Sequence, residues 1–160
     1  MKQIQITTSV TVFENVDELP NDVKELMNKA VEARKIAYAP YSDFEVGAAL
    51  LLENGEVITG NNQENAAYPS GICAERVAVW KASSEYPDEK ILKIVLTATS
   101  RKSKNTTPVA PCGGCRQTLL EYEQKQNAPM EVYFMGAEGE IYKTNSLTDL
   151  VPIAFGKAFL

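Results

Sequence analysis

The segment Ile91–Ala98 constrains the fold of this chain more than any other part of the sequence. It is rich in β-branched and other apolar residues, which is typical of a strand buried within a sheet. Apolar residues at helical spacing precede it from near Cys73 onward, and a further helix is predicted over Gly113–Gln124. A buried strand between two helices predicts a layered α/β fold.

Hydrophobic patterning predicts the other elements in the same way. The dipeptide Asn54-Gly55 between apolar runs predicts an antiparallel hairpin, whereas the later crossovers predict parallel neighbours. We therefore expect an α/β fold, a three-layer α/β/α sandwich with a mixed five-stranded sheet and an extra N-terminal strand. The remaining predicted elements are a strand Ile4–Val12 with one buried face, a helix from about Pro20 to Tyr38, strands 44–52, 56–59, 131–135 and 140–143, and a short last helix after Ser146.

Length and charge narrow the possible functions. The chain has 160 residues, which predicts one compact domain, and its net charge of −5 argues against nucleic acid as a partner. It contains no histidine, which excludes Ser-His-Asp and Cys-His catalysis. No apolar run is long enough for a signal peptide or a membrane span, so we expect no membrane partner and a cytoplasmic, reducing location.

The three cysteines each lie at the start of a predicted helix. A helix N-terminus lowers the pKa of a thiol and favours the thiolate, which is the form that binds metal. Cys112 and Cys115 lie one helical turn apart and can chelate one ion, and Cys73 can supply a third ligand. Three protein ligands with an open fourth position are typical of catalytic zinc, whereas structural zinc usually has four. A cation such as Arg76 or Arg116 would offset the negative charge of three thiolates.

The same residues allow simpler interpretations. Cys112 and Cys115 also fit a redox pair, which would form a reversible disulfide and hold no stoichiometric metal. Cys73 can be an ordinary buried cysteine, and Glu75 by itself can be a solvated helix residue. A zinc-stabilised structural or interaction module is a further alternative, although such a module needs no carboxylate at position 75.

Four ordered motifs resemble those of the zinc-dependent cytidine and deoxycytidylate deaminase family, and in particular its small, three-cysteine cytidine deaminases. The resemblance extends over about Leu26–Phe155. It implies a cytidine deaminase-like fold, one Zn²⁺ per chain, and a hydrolase that converts cytidine and deoxycytidine to uridine and deoxyuridine in pyrimidine salvage. The motifs are Ala39-Pro40-Tyr41-Ser42-Asp43-Phe44, Asn62–Tyr68, Cys73-Ala74-Glu75-Arg76 and Pro111–Gln117.

The resemblance also implies roles for individual residues. Cys73, Cys112 and Cys115 match the zinc ligands. Glu75 matches the proton shuttle that acts while zinc-bound hydroxide attacks C4 of the base, and Arg76 matches an arginine that hydrogen-bonds the zinc thiolates. The implied substrate-binding residues are Phe44 against the pyrimidine ring, Asn62 and Glu64 at the ribose hydroxyls, Gln63 between them in the sequence, and the backbone N–H of Ala74 at the base. From the residues alone, Phe44 fits a core strand equally well and Asn62 fits a turn.

The family is typically a homotetramer with shared active sites, and Phe155 matches an aromatic residue that reaches toward a neighbouring site. The sequence alone equally allows Phe155 to cover the core of its own domain. Residues 1–20 form an extension to a deaminase domain over 21–160, and the segments 100–109 and 122–129 are longer than the family pattern. Deamination of another cytosine nucleoside, such as blasticidin S, is the alternative function, and polynucleotide editing is disfavoured by the acidic charge.

Overall fold

The computed structural model describes residues 1–160, which form a six-stranded sheet and three α-helices. The order across the sheet is β1-β6-β5-β4-β2-β3, in which only β4 and β5 pair in parallel. The mixed sheet and its additional N-terminal strand are therefore confirmed. The strands are β1 Thr11–Phe13, β2 Phe44–Leu52, β3 Val57–Asn61, β4 Ile91–Ser100, β5 Glu131–Met135 and β6 Ile141–Thr144, and the helices are α1 Asn21–Lys35, α2 Ala74–Glu85 and α3 Gly113–Gln126.

Helices cover both faces of the sheet, which confirms the three layers. On one face, the buried side of α1 packs on apolar side chains of β2, β4 and β5. On the other face, α2 and α3 pack on the opposite side of the same strands. Central strands that are buried on both faces need mostly apolar residues, which explains the run Ile94–Ala98, where every residue is buried; near the start of the strand Leu92 is exposed and Lys93 is half-buried. None of the helices combines the length and apolar composition required to cross a membrane.

Two glycines let helices approach the sheet closely. A Cβ atom at Gly47 would lie 2.0 Å from the carbonyl oxygen of Ala30 in α1. A Cβ atom at Gly60 would lie 2.4 Å from the carbonyl oxygen of Ala74 and 2.7 Å from the amide nitrogen of Ala78, both in α2. Both strands therefore require glycine where the backbone of a helix rests directly on them.

The predicted strand Ile4–Val12 is wrong over most of its length. Only Thr11–Phe13 pairs, with residues 141–143 of β6, and residues 1–10 are exposed and lie outside any helix or strand. The alternating pattern describes a segment that could form a strand, but β6 spans only Ile141–Thr144 and offers too short a partner. Ile4, expected on a buried face, is 71% exposed.

Two helix boundaries also differ from the prediction. The first helix ends at Lys35 rather than Tyr38, because the backbone of Tyr38 pairs with that of Asn62 and Glu64. The expected helix after Ser146 is a single 3₁₀ turn, Leu147–Asp149, capped by the Ser146 hydroxyl. Pro152 follows closely and disfavours helical geometry at the residue before it.

Candidate active site

The sheet topology brings the starts of α2 and α3 together. β2 runs antiparallel to both β3 and β4, so β3 and β4 point in the same direction. The segments that follow β3 and β4 lead to α2 and α3, which cover the same face of the sheet. Both helices therefore begin at the carboxyl ends of these strands, where α/β proteins usually bind ligands.

The three cysteines meet at this edge. Cys73 is the N-cap residue of α2, Cys112 is the N-cap residue of α3, and Cys115 lies in the first turn of α3. Their three Sγ atoms lie within 4.8 Å of one another. Cys115 is buried, Cys73 is half-buried and Cys112 is exposed, and all three are free thiols.

This donor set fits one zinc ion. Thiolates are preferred zinc ligands, and Zn–S bonds of about 2.3 Å place tetrahedral sulfur ligands about 3.8 Å apart. The observed sulfur separations are compatible with that geometry after small side-chain movements. The group of side chains that could hold the ion contains the three cysteines and no histidine or carboxylate, so a fourth position remains for water or substrate.

Arg76 supplies positive charge at the cluster. Its Nη2 atom donates to Sγ of Cys73 over 3.4 Å, and its guanidinium lies 5.9 Å from the ring centroid of Trp80. Hydrogen bonds from Cys115 and Arg76 lower the pKa of the Cys73 thiol to about 5, whereas donation to Cys73 and burial raise the pKa of Cys115. Cys73, which accepts the hydrogen bond from Arg76, therefore ionises more readily than Cys115.

Glu75 is a buried carboxyl group in the first turn of α2, and it lines the same cavity as Cys73 and Cys112. Burial raises its pKa above the usual range for glutamate. A raised pKa makes the carboxylate a stronger base and brings its pKa closer to the working pH, where one group can accept a proton in one step and donate it in the next, as a proton shuttle must.

The cavity beside the cluster has a volume of about 560 Å³, in the range of small-ligand sites. The predicted substrate-contact residues Phe44, Asn62, Gln63 and Glu64 all line it, together with Arg76. Ala74 is fully buried at the start of α2 and is not one of the lining residues, although its neighbours Cys73 and Glu75 are. Phe155 also lies outside the lining, is 59% exposed, and stacks on Phe159.

Hydrogen bonds to the backbone fix the polar side chains of the cavity. Asn62 accepts from the amide of Val46 at 2.8 Å and donates to the carbonyl of Phe44 at 2.9 Å. Glu64 accepts from the amides of Tyr41 at 3.0 Å and Ser42 at 3.3 Å, and also from the Ser42 hydroxyl. The Ser42 hydroxyl lowers the pKa of Glu64, so this carboxylate stays ionised near neutral pH.

Sequence reasoning missed several residues around the cavity. The exposed rings of Tyr41 and Tyr68 meet in its lining with centroids 6.3 Å apart, and Val109 and Ala110 form part of the wall. Both tyrosines lie within the motifs Ala39–Phe44 and Asn62–Tyr68, so an aromatic residue inside a family motif was the available signal. Val109 and Ala110 precede the Cys112 motif without a distinguishing pattern, so only the fold reveals their position.

A comparison with models of protein families shows which family this chain belongs to. The family described as "Cytidine and deoxycytidylate deaminase zinc-binding region" matches residues 20–129, which contain all three cysteines and Glu75. The chain belongs to this deaminase family. Its match to a zinc-binding region agrees with the cluster of three thiols that could hold one ion.

Individual relatives agree with this assignment to the deaminase family. The chain is 42% identical over 134 residues to a cytidine deaminase of Halalkalibacterium halodurans, a match that spans 84% of this chain and 94% of the relative. It is 42% identical over 137 residues to a cytidine deaminase of Sporosarcina psychrophila, with 85% and 93% covered. A crystal structure of cytidine deaminase from Burkholderia pseudomallei superposes with a TM-score of 0.72 at 37% identity, covering 86% of this chain and 100% of that one.

Proposed function

We propose that this protein is a zinc-dependent hydrolase that deaminates cytidine and deoxycytidine to uridine and deoxyuridine in pyrimidine salvage. The observation that carries the proposal is the buried carboxyl group of Glu75, which shares a cavity of small-ligand size with Cys73 and Cys112, two members of the cluster of three thiols. Relatives that bear the name cytidine deaminase support it at 42% identity.

In the proposed reaction, Cys73, Cys112 and Cys115 hold the metal. Zinc, when bound, supplies a Lewis acid that lowers the pKa of a water molecule toward about 7. Glu75 accepts one proton from the attacking water and delivers it to N3 of the base. It then carries the second proton to the amino group at C4, which leaves as ammonia. Arg76 partly balances the charge of the thiolates through its contact with Cys73.

The remaining lining residues orient the nucleoside. The Glu64 carboxylate and the Asn62 amide, together with Gln63, supply acceptors and donors for ribose hydroxyl groups, which both donate and accept hydrogen bonds. Phe44 packs against the pyrimidine ring, and the backbone N–H of Ala74 at the start of α2 contacts the base. Arg76, which already contacts Cys73, is the one cation in the lining, so a nucleoside fits better than a nucleotide or polynucleotide.

A time course of ultraviolet absorbance with cytidine tests the proposal, with uridine identified by chromatography. We expect conversion by zinc-loaded protein and none by the same protein after chelation. If zinc-loaded protein leaves cytidine and deoxycytidine unchanged, the proposal fails. Turnover of blasticidin S in that case would assign the site to a modified cytosine nucleoside and would contradict the ribose roles of Asn62 and Glu64.

The proposal extends to the assembly and its location. We place residues 21–160 in a catalytic domain with residues 1–20 as an extension, and we assign a homotetramer in which Phe155 reaches a neighbouring site. The exposed, stacked rings of Phe155 and Phe159 support such a contact. Three free thiols suit the reducing cytoplasm. Light scattering should give four times the chain mass, and a monomer would contradict this assignment.

A further inference from the structure

The turn Tyr41–Asp43 carries the hydrogen bonds that hold Glu64 in the cavity. The backbone amides of Tyr41 and Ser42 and the Ser42 hydroxyl all donate to the Glu64 carboxylate. Phe44, the next residue along the chain, begins β2 and lines the cavity. A displacement of this turn would therefore move a ribose contact and a base contact together.

Asp43, at the end of this turn, has an unusual backbone conformation and two cationic neighbours. Its φ is 57°, a left-handed conformation that aspartate and asparagine tolerate better than most residues. Its carboxylate lies 2.7 Å from Nζ of Lys102 and 3.8 Å from Nη1 of Arg101. The ion pair with Lys102 holds the pKa of Asp43 below its usual value.

Arg101 contacts the same turn, and it also contacts strand β2 and the segment that follows α1. Its backbone amide donates to the carbonyl of Asp43 over 2.7 Å, and its Nε atom lies 2.7 Å from the Glu45 carboxylate in β2. Its Nη2 atom donates to the carbonyl of Ala37, just after α1. Arg101 therefore bridges both sides of the turn.

We propose that Arg101 and Lys102, acting through Asp43, are positioning residues that hold the turn Tyr41–Asp43 in the conformation that binds the nucleoside. This inference rests on the proposed deaminase function and adds a role for the segment 100–109, which exceeds the length of the family pattern. Neither cation lines the cavity, so both act through the turn rather than on the substrate. Their effect falls on binding of the nucleoside and not on the proton transfers at Glu75.

The exposure of these side chains sets the size of the effect. The side chains of Lys102 and Asp43 are 76% and 28% exposed, respectively. An exposed ion pair changes an equilibrium by at most about fivefold, and salt screens it. Because cytidine carries no charge at neutral pH, salt should act on KM through the ion pairs rather than by steering the substrate.

Steady-state kinetics with cytidine test the proposal through the Asp43→Asn variant. Asparagine tolerates the same φ but removes the charge. We expect KM to rise about threefold at low salt, with kcat changed by less than about twofold. Lys102→Gln should raise KM by a similar factor, whereas Lys102→Arg keeps the charge and should have the wild-type KM. The double variant Asp43→Asn, Lys102→Gln should have a KM close to that of either single variant, because both remove the same ion pair. In about 0.5 M NaCl, the wild-type KM should rise toward that of the variants.

The ion pair between Lys104 and Glu138 provides the matched control. It lies in the same loop but leads to the β5–β6 connection, away from the cavity. Glu138→Gln should leave KM unchanged. The proposal is overturned if Asp43→Asn leaves KM unchanged at low salt, if it lowers kcat alone, or if Glu138→Gln raises KM equally.

Hydrogen exchange separates this proposal from the proposed function. Amides of residues 41–44 should exchange faster in Asp43→Asn than in the wild type, measured without substrate. If the wild type does not deaminate cytidine, the proposed function fails, and exchange alone then decides whether the cations hold the turn. Unchanged exchange would overturn the positioning role.

Discussion

At the scale of single residues, the carboxyl group of Glu75 is the feature that separates a catalytic zinc site from a structural one. Glu75→Gln keeps the size of the side chain but removes its ability to carry protons. We expect turnover of cytidine to fall by about 10²–10⁴-fold while zinc content and unfolding temperature stay near wild-type values. Kinetics and metal analysis on the same preparation check this prediction.

Glu85 provides a matched control, because it lies at the exposed end of the same helix. Glu85→Gln should leave turnover unchanged. Retention of most activity in Glu75→Gln would remove the proton-shuttle assignment and favour a structural zinc module.

The residues of the candidate site that could be predicted are those whose pattern lies within one short segment of the sequence. Cys112 and Cys115 lie one turn apart at a helix start and Cys73 precedes another helix, so periodicity and spacing placed the three thiols, whereas the role of Glu75 came from the resemblance to the deaminase family. The contact of Asp43 with Arg101 and Lys102 was not predictable, because it depends on β2 pairing with β4. No periodic pattern encodes which loops meet after strands pair.

At the scale of elements, Gly60 controls how closely α2 rests on the sheet. A Cβ atom there would overlap backbone atoms of Ala74 and Ala78, which cannot move without shifting the helix. We expect Gly60→Ala to lower the free energy of unfolding by about 2 kcal/mol or more. It should also weaken zinc binding, because α2 begins directly after Cys73. Urea denaturation and metal titration measure the two effects.

Gly114 is the matched control for Gly60, because a Cβ atom there would meet no atom within 4 Å. Gly114 lies inside α3, so Gly114→Ala should raise the free energy of unfolding by up to about 1 kcal/mol. A similar loss of stability in both variants would contradict the argument from close approach.

The N-terminal segment consists of an exposed part and a part that pairs with the sheet, and the two should contribute differently to stability. Residues 1–10 are exposed, whereas Phe13 of β1 stacks on Tyr133 with ring centroids 6.4 Å apart. Deleting residues 1–10 should change the free energy of unfolding by less than about 0.5 kcal/mol. Deleting residues 1–14 should lower it by about 1–3 kcal/mol, because β1 and the Phe13 contact are lost. Urea denaturation measures both changes in the free energy of unfolding. Equal changes for the two deletions would contradict the conclusion that β1, and not residues 1–10, stabilises the fold.

Alternation between apolar and polar residues gave the right element type but the wrong length for this strand. The pattern describes how a segment could pair, while the length of β6 decides how much of it does. The hairpin at Asn54-Gly55 was predicted more accurately, because Gly55 adopts a φ of 86° within the turn itself.

At the scale of the whole molecule, one ion would join two helices that are distant in the sequence. Cys73 precedes α2 and Cys115 lies in α3, so a bound metal restrains the two helices against each other. A ligand that binds only the folded state stabilises it by about 4 kcal/mol at a thousandfold excess over its dissociation constant. For a chain of this length, that corresponds to about 10 °C in the unfolding temperature.

Calorimetry before and after chelation should therefore show a fall of about 10 °C in unfolding temperature, reversed by adding zinc. The difference should shrink as the pH falls from 7 to 5, because protons compete with the metal for the thiolates. In the presence of zinc, the Cys115→Ser variant should unfold at a lower temperature than the wild type, since it retains only two of the three sulfur ligands. Its unfolding temperature should change little on chelation. An unfolding temperature unaffected by chelation in the wild type would mean that the thiols do not hold a metal in the folded protein.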